Sequence, residues 1–193
     1  ASGGDGAFFM RIAEDGTAVW NQHTFIQSYN GMSSYAHAAS AHGERVCFGG
    51  IHGRGFLAGI DPEGHAVYVP EPAASVDGFL VSVQSDGVTR WARAVSSDEF
   101  ESVDHLAAGP GVIWVGGYSS ASAFAIGETA VANPRRAGFL VALDESDGSP
   151  RCSWPGPWES MLGLRAGPND TAYVLYSRLD QDPDTGASSF SFE

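Results

Sequence analysis

The chain has 193 residues, 43% of them hydrophobic and 17% charged, with 25 glycines and 10 prolines, a balance that suits short strands and tight turns and disfavours long helices. Its 23 acidic residues against 10 basic ones give a formal net charge of -13, whose field repels phosphate backbones and anionic lipid headgroups, so nucleic acid is excluded as the expected partner. No stretch is long and apolar enough to read as a transmembrane helix.

In chain order, Phe8-Phe9-Met10-Arg11-Ile12 reads as a first strand, closed by a turn at Asp15-Gly16 and answered by a return strand carrying Trp20. Small residues from Ala36 to Ala41 suit an inner strand crowded near an axis. Val46-Cys47-Phe48-Gly49-Gly50 follows, and Phe56 to Ile60 would be an outer piece. The same series then recurs. Asp77-Gly78-Phe79-Leu80-Val81-Ser82-Val83 leads to Asp86-Gly87 and Trp91, then to small residues from Leu106 to Gly109, to Ile113-Trp114-Val115-Gly116-Gly117, and to Phe124 to Ile126. A third copy runs from Gly138-Phe139-Leu140-Val141-Ala142-Leu143 through Asp147-Gly148 to Trp154 and on to Ala172-Tyr173-Val174-Leu175-Tyr176. It departs from the others by Pro150 and two further residues before its Trp, and by lacking the Gly-Gly pair.

Alternation puts Phe79, Val81 and Val83, and likewise Phe139, Val141 and Leu143, on one face of each strand, yet the opposite faces are also apolar. Strands apolar on both sides belong between neighbouring sheets. The expected fold is therefore all-β, with β-propeller-type blades of about four antiparallel strands in three imperfect repeats (5–76, 77–136 and 137–193) of a single region, 1–193. Three copies fall short of a closed ring of 4 to 8 blades, so a partial propeller is expected, one that is part of a longer chain or that self-associates to cover its open edges.

DGFLVSVQSDGVTRW (77–91), GVIWVGGY (111–118) and GFLVALDESDGSPRCSW (138–154) resemble the bacterial β-propeller repeats of the SBBP type, and the resemblance covers most of residues 5–176. It implies an exported or surface-attached bacterial protein (extracellular, cell-surface or periplasmic) acting as a non-catalytic scaffold or binding module for protein or glycan contact. The third of these segments also resembles quinoprotein propeller repeats, which leaves a fragment of a quinoprotein-like enzyme as the alternative. The adjacent cysteine pair of such enzymes is not in the sequence.

No catalytic or cofactor-binding set emerges from the motifs. Asp180, Asp182 and Asp184 alternate as Ca²⁺ ligands do, so calcium is the one candidate cofactor, although the glycine falls at the seventh position and Ser191 stands where a bidentate Glu is needed. An acidic surface loop explains the same residues. The six histidines (His23, His37, His42, His52, His65 and His105) show no metal-binding spacing and read as turn or core residues. Cys47 and Cys152 read as separate thiols. Trp20, Trp91, Trp114 and Trp154 are expected between sheets, and Trp158, among prolines and a glycine, is the aromatic freest to meet a ligand.

Overall fold

A computed structural model describes residues 8–23, 35–73, 76–156, 160–181 and 188–192, and among these every regular element is a β-strand in antiparallel pairing. The first sheet is built from β3 (Tyr35–His42), β4 (Arg45–His52), β7 (Asp77–Gln84) and β8 (Thr89–Ser96) in that spatial order. The second repeats the plan with β9 (Glu101–Gly109), β10 (Val112–Ser119), β13 (Gly138–Asp144) and β14 (Pro150–Pro155). A third sheet holds β15 (Ser160–Ala166), β16 (Ala172–Gln181) and β17 (Ser188–Phe192), and β1 (Phe8–Ile12) with β2 (Ala18–His23) forms a separate hairpin.

Each Gly-Phe hairpin therefore closes the sheet opened by the station before it. Phe79 lies opposite Gly50, and Phe139 opposite Gly117. The segments expected as outer pieces branch off between the second and third strands of each sheet. Phe56–Ile60 is β5, paired with β6 (Ala66–Val69), while β11 (Ala123–Ile126) pairs with β12 (Thr129–Ala132) and extends the first sheet at β8. The segment containing Phe124 to Ile126 thus does take an outer position, beyond β8 of the first sheet, whereas Phe56–Ile60 forms a separate two-stranded sheet with β6.

The turns form as their residues dictate. Gly16, Gly87 and Gly148 take φ values of +84°, +93° and +74°, and the aspartate before each accepts the amide two residues on: Thr17 to Asp15, Val88 to Asp86 and Ser149 to Asp147, at 2.8 to 3.0 Å.

Three apolar clusters show that the sheets stack. Trp20 packs against a cluster that includes Phe48, Phe79 and Val81, Cys47 and Trp91 share a cluster with Val103, Phe139 and Val141, and Trp114 and Leu140 share one with Met161 and Leu164. β7 and β13 are buried on both faces as a result. The glycine stations are the closest points of approach. A Cβ on Gly49 would come within 2.5 Å of Val103, and one on Gly116 would strike the Met161 sulfur.

Trp20 and Trp91 hold each sheet to the next. Their indole N–H groups donate to the carbonyls of Ser85 and Glu145 at 2.8 and 3.1 Å, and their rings lie over Gly87 and Gly148. Trp154 breaks this expectation. Trp20 pairs with Arg11 and Trp91 with Ser82 across their hairpins, but the matching partner in the third copy, Ala142, faces Cys152. The inserted residues thus carry Trp154 two places along β14, where it lies against Trp114 and is 46% exposed.

Candidate functional site

β3, β9 and β15 are the edge strands of the three sheets and pack side by side in that order. Each contains one extra residue, opposite the Gly-Gly pair in the first two sheets and opposite Leu175 and Tyr176 in the third. The register shifts between Ala36 and Ala38 opposite Gly50 and Gly49, between Val103 and His105 opposite Gly117 and Gly116, and between Met161 and Gly163 opposite Tyr176 and Leu175. The bulged residues are His37, Asp104 and Leu162. A bulge turns its side chain out of the alternation that packs a strand between neighbours, and all three line one cavity of about 680 Å³.

Within it, His37 Nδ1 donates to Asp104 Oδ1 at 3.0 Å, with both side chains about one-third exposed. Ser102 Oγ donates to the other carboxylate oxygen at 2.8 Å, and the Tyr35 ring stacks on His37 with 6.4 Å between centroids. Asp104 is thereby fixed from two sides, and the Nδ1 side of His37 is taken by this contact. The Ser102 hydroxyl therefore sits on the carboxylate, on the opposite oxygen from the imidazole. The neighbouring His105 is structural: its Nε2–H donates to the Met161 carbonyl at 2.7 Å and ties β9 to β15.

Other candidates fall elsewhere. Asp180 lies in β16, paired with Ser189 of β17, while Asp182, Asp184 and Trp158 lie outside the described residues. His52 is fully buried, donates from Nδ1 to the Arg54 carbonyl at 2.9 Å, and is held below its ordinary pKa by desolvation. His65 lies with Asp61 and Glu63 in the exposed β5–β6 turn, where the backbone amide of His65 chiefly, then its side chain and the Glu63 amide, hold the Asp61 carboxyl below its usual range. Those bonds close the turn. Cys47 is buried and Cys152 exposed, both as free thiols.

Sequence reasoning named His37 but grouped it with His42, and it passed over Asp104 and Leu162. A bulge leaves no periodic mark of its own. Counting back from Gly49 and Gly116 by the same number of residues reaches His37 and Asp104, but the same count from Leu175 reaches Gly163, so the level of Leu162 follows only from strand pairing. Comparison with protein-family models finds no match to this chain, and comparison with curated proteins finds none either.

Proposed function

We propose that the stacked sheets are blades of a β-propeller, and that the chain is a non-catalytic binding module of an exported or surface-attached bacterial protein. The observation that carries this reading is the alignment of His37, Asp104 and Leu162, three bulged residues at one level on three consecutive inner strands, around a single cavity. Repeated four-stranded meanders with buried central strands support the blade assignment. The acidic surface favours a neutral or basic ligand over a polyanion. The carboxylate, imidazole and stacked Tyr35 are groups that meet hydroxyls and amides, so a glycan or a peptide loop is the ligand class they fit.

A glycan array and a peptide library, probed with the labelled chain and with Asp104→Ala, test the reading. Binding by the parent that the variant loses supports it. Binding that survives Asp104→Ala moves the site elsewhere, and the absence of any ligand from both collections counts against a binding role.

A further inference from the structure

We propose that two copies of this chain join head to tail, the open face of the third sheet of one packing on the open face of the first sheet of the other. The inference rests on the blade reading above and commits to a second copy as the occupant of both faces.

Within the chain, the two close approaches at the glycines of β4 and β10 follow one size rule. A glycine on the second strand receives a large side chain from the inner strand of the next sheet: Gly49 receives Val103, and Gly116 receives Met161. Register places Leu175 at the level of Gly49 and Gly116, because all three lie just beside the bulge. By the same register, Ala36 occupies the level of Val103 and Met161. The sizes are inverted at both ends of the stack. Leu175 is 49% exposed, Tyr173 beside it is 64% exposed, and Ala36, Ala39 and Ala41 are exposed on β3. A large residue where the rule puts glycine, and alanine where it puts Val or Met, make the two open faces complementary to each other.

The outer strands agree. Val81 and Val83 are buried, in one cluster with Trp20 of the preceding hairpin. The residues at their level in β1, Met10 and Ile12, are 41% and 58% exposed, and a Cβ on Gly16 would meet nothing, whereas Gly87 and Gly148 lie under tryptophans. Trp154 on β14 is the large exposed ring that such a hairpin would cover. β17 pairs with residues 177–181 of β16, and no described strand lies along the outer edge of Ala172–Leu175, where β1 of the second copy would run. Two copies contribute three sheets each, a ring of about six, inside the 4 to 8 that close a propeller, and mutual exchange of the two faces gives a closed pair with no growing end.

Light scattering on the purified chain is expected to give twice its mass of 20.2 kDa. Leu175→Gly is expected to weaken the pair roughly tenfold or more, the cost of losing a buried leucine, and Leu175→Gly with Ala36→Met to restore it by recreating the glycine and methionine contact found inside the chain. A monomeric parent chain, or a double variant as weak as the single one, overturns the proposal. In parallel, Gly116→Leu is expected to lower the melting temperature and Met161→Ala to recover part of it. If that internal pair couples while the parent stays monomeric, self-association is wrong and the blades stand, whereas no coupling at Gly116 and Met161 removes the blade reading itself.

Discussion

Trp91 of β8 donates its indole N–H to the carbonyl of Glu145 at 3.1 Å, so the outer strand of the first sheet is fastened to the hairpin turn of the second. The ring is 4% exposed and lies over Gly148. Trp91→Ala should cost about 3–5 kcal/mol, the range for emptying an aromatic site in a core. Trp91→Phe keeps much of the packing and loses the hydrogen bond, so it should cost less, though more than the bond alone, worth about 1 kcal/mol. Urea unfolding of the three proteins checks the order, and equal stability of Trp91→Ala and the parent would show that the sheets are not stacked as described.

Two glycines separate strain from collision. Gly43 has a φ of +57° with open space around a Cβ, so Gly43→Ala should cost about 1–2 kcal/mol, through backbone conformation alone. A Cβ on Gly117 would run into the Ser102 carbonyl oxygen and the Phe139 ring, so Gly117→Ala forces the β9–β10 pairing apart and should cost about 1–3 kcal/mol or more. Thermal melts of both variants test the ranking, with Gly117→Ala the lower.

The two cysteines should react on different timescales. Cys47 is 2% exposed, and burial pushes its thiol up to about 12, while Cys152 is exposed on β14. The thiolate is the reacting species. An aromatic disulfide reagent at neutral pH should titrate one thiol per native chain quickly and the second only after denaturant is added. Two fast thiols would place Cys47 outside the core.

Acid should loosen the turn between β13 and β14. The Ser146 hydroxyl, then the Arg151 guanidinium, then the Ser146 amide hold the Asp144 carboxyl well below the usual carboxylate range. A carboxyl depressed in the folded state adds stability that is complete above its unfolded value near about 4 and disappears as pH falls toward the folded one. Asp144→Asn should therefore be less stable than the parent at pH 7 and lose less on acidification. Urea midpoints measured down through the acid range test this, and parallel curves for the two proteins would refute it.

Much of the local architecture was legible in the residues themselves. The three Asp-Gly turns, the paired strands around them and the Trp20 and Trp91 positions follow from short patterns, because a left-handed turn residue and a two-residue alternation act within a few positions of chain. Trp154 was misjudged for a reason of the same kind: counting residues to the next tryptophan missed that Cys152 stands at the station once register is fixed by pairing.

What the sequence determined by itself, then, was the all-β character of the chain, its repeat and the turns that punctuate it. Only the tertiary structure decided which residues share the cavity, since His37, Asp104 and Leu162 lie far apart along the chain and meet because three sheets stack with their bulges at one level. It also decided which faces stay open. One bulged residue moves every later side chain of its strand to the opposite face, and the outcome depends on the pairing of strands that no local pattern specifies.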